Sequence, residues 1–239
     1  RMSGAGTPAA EPAAADAEIE AWMLRLLGAE GLSWLPDAVW AAPWGKDLLL
    51  AGERPGATYA EVSWAQRGTL MGLLSRFLAT GDEAYLARGR RLAAGLRRIA
   101  VRHPDGLFFP EGYYPSGGWH IERPGLYPGI EETNAATVVP LVRLYEVAGD
   151  ASALDLAEQI TRYALKHTQG YRPDGRLHAD QGGALQAHFH TRSAFILAVL
   201  KLGLALDRPD YVDWARRSYG YAQEWGTDFG WFPEHLGQR

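Results

Sequence analysis

Cysteine is absent from the 239-residue sequence, and its absence excludes two kinds of site. Without thiols the chain can form neither a disulfide framework nor a thiolate metal site. Long apolar runs are also missing, because no stretch approaches the roughly 18 uncharged residues that a membrane-spanning helix requires. The net charge of −4 provides no broad basic surface of the kind that binds a nucleic-acid backbone. We therefore expect neither a membrane nor a nucleic acid as a partner.

The composition is otherwise that of a globular protein, with 47% hydrophobic and 22% charged residues. Residues 1–16 are rich in Ala, Pro and Gly and show no hydrophobic period, which indicates a disordered leader. Residues 17–239 are expected to form a single domain. The lack of a visible signal peptide favours a soluble, cytoplasmic protein, while the compartment itself stays unassigned.

Helices of two alternating kinds follow one another along the chain. Inner helices, apolar on nearly every face, are predicted at 64–78, 134–149 and 190–206. Outer helices, with one apolar stripe each, are predicted at 80–100, 150–167 and 208–226. A weaker helix at 17–29 precedes them. Aligning the outer helices on Tyr85, Ala153 and Tyr211 gives spacings of 68 and 58 residues, which indicates a tandem of helical hairpins.

The outer helices show their periodicity most clearly in the first two hairpins. Asp82 is the expected N-cap of the first one. The predicted buried stripes consist of Tyr85, Gly89, Leu92, Leu96 and Ile99 in the first helix and of Ala153, Leu156, Ile160 and Ala164 in the second. Each stripe faces away from a charged surface, as expected of helices that cover an inner layer.

Stacked hairpins form either an open solenoid or a closed ring, and almost wholly apolar inner helices favour the ring. The predicted fold is therefore all-α, an α/α toroid. A closed ring of six hairpins with this repeat length would need about 378 residues, whereas about three and a half hairpins are present. We expect an incomplete toroid from the N-terminal part of a longer enzyme, with an apolar flank at its end helices that is open to self-association.

Polar and aromatic residues gather at one predicted rim, where inner helices begin and outer helices end. Trp64, Glu132 and His190 share one repeat position at this rim, and Gln66, Asn134 and Arg192 share the position two residues later. The tripeptide Phe-Pro-Glu occurs twice, at 109–111 and 232–234, in the loops that leave the first and third outer helices. Both tripeptides are therefore expected at the same rim.

Such a rim suits a carbohydrate, because aromatic rings stack on the C–H faces of a sugar and polar side chains bind its hydroxyls. Cleavage of a glycosidic bond requires two carboxyl groups, one protonated and one ionised. The predicted catalytic residues are Glu132, His190, Glu234 and Glu111. The predicted substrate-binding residues are Trp64, Gln66, Trp119, Asn134, His188, Arg192, Asp228 and Trp231. Phe-Pro-Glu also has a purely structural interpretation, as a loop anchor with Phe packed inward and Glu paired with an arginine.

No metal or other cofactor is assigned from the sequence. His188 and His190 could supply two metal ligands, but no third ligand stands at an informative spacing from them. Asp105, in the stretch His-Pro-Asp-Gly-Leu, is interpreted as a turn residue and as nothing else.

The segments 67–96, 134–160 and 188–215 resemble the six-hairpin glycosidase superfamily, and they are most similar to the β-L-arabinofuranosidase-like glycoside hydrolases of family 127. This resemblance implies an α/α toroid that binds sugars at its mouth. It also implies that His190 and Arg192 correspond to the histidine and arginine that open an inner helix in that family. Those enzymes use a zinc-bound cysteine nucleophile, which this chain lacks, so either the chemistry differs or its carriers lie beyond Arg239.

The leading hypothesis is thus a glycoside hydrolase that acts on an oligosaccharide or glycoside by carboxylate acid–base chemistry. A sugar 2-epimerase or isomerase would instead transfer protons through histidines such as His188 and His190. A third alternative is a helical-repeat module that binds a glycan or a protein without catalysis.

Overall fold

The computed structural model describes residues 60–61, 64–109, 112–113, 119–120, 136–167, 187–224 and 235–236. Its six helices are α1 (Trp64–Thr80), α2 (Glu83–Ile99), α3 (Val138–Ala148), α4 (Ala151–His167), α5 (Phe189–Ala205) and α6 (Pro209–Gln223). Its seven short strands are β1 (Ala60–Glu61), β2 (Val101–His103), β3 (Gly106–Phe108), β4 (Gly112–Tyr113), β5 (Trp119–His120), β6 (Ala187–His188) and β7 (His235–Leu236). None of the described helices is long and apolar enough to cross a membrane.

The helices form three successive hairpins, α1–α2, α3–α4 and α5–α6, and each hairpin is joined by only two or three residues. Two of these tight reversals depend on glycine in the left-handed region, Gly81 at φ 71° and Gly149 at φ 64°. The backbone N–H of Gly149 donates to the carbonyl oxygen of Tyr145 at 2.8 Å and so closes the end of α3. In the third reversal Asp207 adopts a φ of 52°, a conformation that Asp tolerates better than most residues.

The inner helices pack against one another in chain order, with α3 between α1 and α5. Each outer helix covers the inner helix of its own hairpin. One continuous hydrophobic core results, and its largest fully buried side chains are Phe109, Phe195, Leu70, Leu73, Leu74, Leu92, Leu96, Leu141, Leu144, Leu156 and Ile160. This two-layered array of hairpins confirms the all-α toroid prediction and forms one part of such a ring.

The outer helices confirm the predicted stripes. All nine predicted stripe positions of α2 and α4 are buried. The three alignment positions, Tyr85, Ala153 and Tyr211, are equivalent in burial as well, with 8%, 2% and 6% of their surface exposed. The period of 3.6 residues therefore places each outer helix on the inner layer in the same way.

The start of α3 differs from the prediction. The sequence pattern suggested a helix from residue 134, but α3 begins at Val138, after a turn at residues 136 and 137. Pro140 explains the difference, because proline lacks the N–H that an interior helical position must donate but fits the first turn of a helix. The first helical hydrogen bond after it runs from the Leu141 N–H to the Thr137 carbonyl at 3.3 Å.

The inner helices are less enclosed than their composition suggested. The apolar residues Val138, Val139, Leu141, Val142 and Leu144 of α3 are all buried. In contrast, Leu78 of α1 is 54% exposed, and Leu197 and Leu204 of α5 are 40% and 67% exposed. The difference follows from position in the array, because α3 has an inner neighbour on either side. Leu197 and Leu204 are exposed apolar residues of α5, and the apolar flank expected at the end helices stays a prediction.

Replacement of Asp82 by Ala should lower the free energy of unfolding by about 1 kcal/mol. The Asp82 carboxylate accepts a hydrogen bond from the Ala84 N–H at 2.8 Å and so caps α2, as predicted. Urea denaturation monitored by circular dichroism measures the loss. Asp82→Asn is the matched control, because it keeps the acceptor oxygen and should stay close to wild type; equal losses in both variants would contradict the capping role.

Candidate functional site

Two-residue strands stand directly before two of the inner helices, at the end of the array where those helices begin. β1 precedes α1 and pairs antiparallel with β4, which in turn pairs with β5. β6 precedes α5 and pairs antiparallel with β7. In each case the chain that has left the outer helix therefore returns to the start of the inner helix of the same hairpin.

The two Phe-Pro-Glu tripeptides occupy the same place in this arrangement. The first, at 109–111, is followed at once by β4, and the second, at 232–234, is followed at once by β7. Gly112 consequently lies opposite Glu61, and His235 lies opposite His188. Opposed Cα atoms in an antiparallel ladder are about 4.5–5.5 Å apart. The repeated tripeptide thus marks a repeated connection between the end and the beginning of a hairpin.

Phe109 fits the loop-anchor interpretation of its tripeptide. Its side chain is only 1% exposed and belongs to the central core cluster. An aromatic ring buried this deeply fixes the chain immediately before Glu111. Phe232 and both glutamates lie outside the described residues, so an equivalent anchor in the third hairpin stays a prediction.

Eleven of the twelve predicted site residues fall into two groups. Five of them have backbones at or beside the two ladders: Trp64 in α1, Trp119 in β5, His188 in β6, and His190 and Arg192 in the first turn of α5. Glu111, Glu132, Asn134, Asp228, Trp231 and Glu234 lie outside the described residues.

Gln66 is the predicted site residue whose side chain the structure describes. It lies in the first turn of α1 and is fully buried, with 0% exposure. A buried amide must have its hydrogen-bonding groups satisfied inside the protein, which makes Gln66 part of the support beneath the rim. Its contact with a substrate stays a prediction.

Glu61 and His235 are rim residues that were not predicted from the sequence pattern. Glu61 stands opposite Gly112 as His188 stands opposite His235, so the two hairpins present different titratable residues in equivalent ladders. Strands of two residues are too short to show a period. The available signal was the tripeptide itself, because the residue after each Phe-Pro-Glu begins a strand.

A second polar cluster lies where the β2–β3 hairpin packs against α4. A carboxylate oxygen of Asp105, Oδ2, is 2.8 Å from Nε2 of His167 and 3.5 Å from Nδ1 of His103. The other oxygen, Oδ1, accepts a hydrogen bond from the Lys166 ammonium group. Asp105 does lie in a turn, but its interpretation as a turn residue alone was wrong, because it binds two side chains at the end of α4.

The surroundings of Asp105 keep its carboxyl group ionised. The hydrogen bond from Lys166 has the largest effect and lowers the pKa of Asp105 below its usual value. The contact with His167 lowers this pKa further, and desolvation raises it by a smaller amount. The backbone carbonyl of Asp105 also accepts a hydrogen bond from Arg162 Nε at 2.8 Å. The turn between β2 and β3 is thus held to α4 by polar side-chain contacts from three helical residues, Arg162, Lys166 and His167.

No protein-family model and no curated protein sequence matches the chain. Solved structures do match. The chain superposes on D-mannose isomerase with a TM-score of 0.66, 17% identity and coverage of 95% of this chain and 59% of the other. The unsaturated glucuronyl hydrolase of Bacillus sp. GL1, responsible for the degradation of glycosaminoglycan, matches with a TM-score of 0.63 and 16% identity. The match covers 92% of this chain and 58% of the hydrolase. The GH76 α-mannanase of Bacteroides thetaiotaomicron matches with a TM-score of 0.55 and 12% identity. The match covers 76% of this chain and 46% of the mannanase.

These similarities show the fold of the chain. They identify the array of hairpins as part of an α/α toroid, and the chain spans less than two thirds of each of these structures. The finer resemblance to family 127 stays a prediction.

Proposed function

We propose that the chain forms part of a carbohydrate-active enzyme that hydrolyses glycosides at the rim where the inner helices begin. The observation that carries the proposal is the pair of ladders β1–β4 and β6–β7. Each ladder joins the strand after a Phe-Pro-Glu tripeptide to the strand before an inner helix. Two acidic loops are thereby tied to the end of the array that sequence analysis selects as a sugar-binding mouth.

The proposed chemistry uses two carboxyl groups on opposite sides of the glycosidic bond. Glu234 follows the sequence Trp-Phe-Pro and is proposed as the general acid that protonates the leaving oxygen. Glu132 is proposed as the ionised partner, which acts as nucleophile or activates water. Glu111 is the alternative second carboxylate, because its loop is equivalent to that of Glu234.

The remaining rim residues would bind the sugar. Trp64, Trp119 and Trp231 supply aromatic faces for stacking. Hydrogen bonds to hydroxyl groups would come from Asn134, His188, Arg192 and Asp228, while the buried Gln66 would support the rim from beneath. His190 would stabilise charge or transfer protons next to the carboxylates.

A sugar isomerase or epimerase is the second candidate, and one specific observation favours it. His188 and His235 are opposed in the β6–β7 ladder, with His190 two residues further on in α5. Three histidines in such a short stretch of rim could supply a proton-transfer pair. The superposition on D-mannose isomerase is compatible with this candidate.

A two-part assay distinguishes these functions. With a panel of aryl glycosides, we expect release of the aryl alcohol, whereas free mannose and glucose should be recovered unchanged by chromatography. Interconversion of free sugars without glycoside cleavage would replace the hydrolase proposal by the isomerase. Sugar binding without either reaction, measured by calorimetry, would instead indicate a non-catalytic module.

A further inference from the structure

We propose that His103, Asp105 and His167 form a zinc-binding site that connects the first hairpin to the second. Nδ1 of His103, a carboxylate oxygen of Asp105 and Nε2 of His167 all lie within 4.8 Å of one another. His103 ends β2, Asp105 lies in the turn before β3, and His167 ends α4. The site is separate from the rim ladders, and the inference does not depend on the proposed sugar chemistry.

The types of ligand suit zinc, and two of their three separations are close to those in a zinc site. Two imidazole nitrogens and a carboxylate oxygen are common zinc ligands, with bonds of about 2.0–2.2 Å. A tetrahedral ion with such bonds keeps its ligand atoms about 3.3–3.5 Å apart. The distances from Asp105 Oδ2, 2.8 Å to His167 and 3.5 Å to His103, bracket this value. The two histidine nitrogens are up to 4.8 Å apart, so the imidazole rings would have to turn or move by about 1 Å to bring them to this separation. The bound ion would then leave a fourth position for water.

Aromatic packing already fixes the two imidazole rings. The ring of Tyr163 stacks on His167 at 4.4 Å with an interplanar angle of 24°, and it meets His103 edge-on at 5.3 Å. Phe108 stacks on Tyr163 at 4.6 Å. Ligands whose orientation is set by their surroundings lose little freedom when a metal binds, so this packing favours binding.

Two neighbouring groups would compete with the metal. The backbone N–H of Asp105 donates to His103 Nδ1 at 3.2 Å, and zinc would take over that lone pair. The Lys166 ammonium group binds Oδ1 of Asp105 and adds a positive charge beside the site. Lys166 does not block Oδ2, which faces the two histidines, but its positive charge repels a divalent cation. Removal of Lys166 should therefore strengthen zinc binding.

Bound zinc would act as a link between segments that are about 60 residues apart. The turn between β2 and β3 belongs to the first hairpin, and His167 belongs to the second. An ion that binds the folded but not the unfolded chain adds to the free energy of unfolding as its concentration exceeds the dissociation constant. The link would also hold the segment that runs through Phe109 into the first Phe-Pro-Glu loop.

The test is a titration of the metal-stripped protein with zinc chloride, followed by calorimetry, together with the visible absorption of a cobalt(II)-loaded sample. We expect one equivalent of zinc and a tetrahedral cobalt spectrum. His103→Ala and His167→Ala should each weaken binding by about 100-fold or more, at least the cost of losing an outer-shell partner. Lys166→Met, which removes no ligand, should tighten binding severalfold to about tenfold.

His178→Ala is the control for binding by a single histidine elsewhere and should leave the affinity unchanged. The absence of stoichiometric binding would overturn the proposal. Binding that survives both His103→Ala and His167→Ala would place the zinc elsewhere and also overturn it. If circular dichroism shows that an alanine variant does not fold, the zinc affinity of Lys166→Met tests the proposal instead. An affinity that is unchanged or weaker than that of the wild type would contradict the site.

Discussion

Replacement of Glu234 by Gln is expected to lower kcat/KM for glycoside hydrolysis by about 10²–10⁴-fold, the usual contribution of a general acid or base. Gln has the same shape as Glu but cannot donate the carboxyl proton. Glu234 directly precedes β7, whose pairing with β6 ties this loop to the start of α5. Steady-state kinetics on the wild type and the variant measure the effect.

The choice of substrate reveals the role of Glu234. A general acid matters most when the leaving group is a poor one, so alkyl glycosides should lose more activity than glycosides of acidic phenols. Equal losses on both substrates would instead indicate a nucleophile. Glu224→Gln is the matched control, because Glu224 is exposed at the end of α6 and lies ten residues before Glu234. An unaffected Glu234→Gln variant, combined with loss of isomerisation in His190→Ala, would contradict the hydrolase proposal.

The largest effect on stability is expected from Gly106→Ala, which should lower the free energy of unfolding by about 2–5 kcal/mol. Gly106 adopts a φ of 150°, which residues with a side chain rarely adopt. A Cβ atom there would lie 2.1 Å from the backbone carbonyl oxygen of Gln159. The β2–β3 hairpin would have to move away from α4. Urea denaturation of the wild type and the variant measures the loss.

Gly220→Ala is the control with the opposite sign. Gly220 lies within α6, and a Cβ atom built on it has no neighbouring atom within 4 Å. Replacing an exposed helical glycine by alanine usually adds about 0.5–1 kcal/mol of stability. A similar loss in both variants would show that the close approach of β3 to α4 does not matter for stability.

The sequence predicted the helical layers because their physics is local. A stripe such as Tyr85, Leu92 and Leu96 repeats with the period of a helix, and a cap such as Asp82 acts within a few residues. The start of α3 was also predictable in principle, since Pro140 cannot occupy the middle of a helix. The exposure of Leu197 and Leu204 was not evident from α5 itself, because it depends on which helices stand beside it.

The contacts around the rim, and those within the cluster of His103, Asp105 and His167, could not be predicted in the same way. His103 and His167 meet only because β3 packs against α4, and no spacing along the chain encodes that contact. The ladders are two residues long and show no period of their own. The repetition of Phe-Pro-Glu pointed to one end of the array. Only the strand register placed Glu61 opposite Gly112 in one ladder and His235 opposite His188 in the other.

The two ladders also affect how such a fold can change over generations. Each one connects the first and last parts of a single hairpin, so all of its hydrogen bonds lie within one contiguous stretch of chain. That stretch can be copied or exchanged as a block without separating a strand from its partner. Glu61 in one block and His188 in the other show that the same kind of backbone frame can carry different titratable residues.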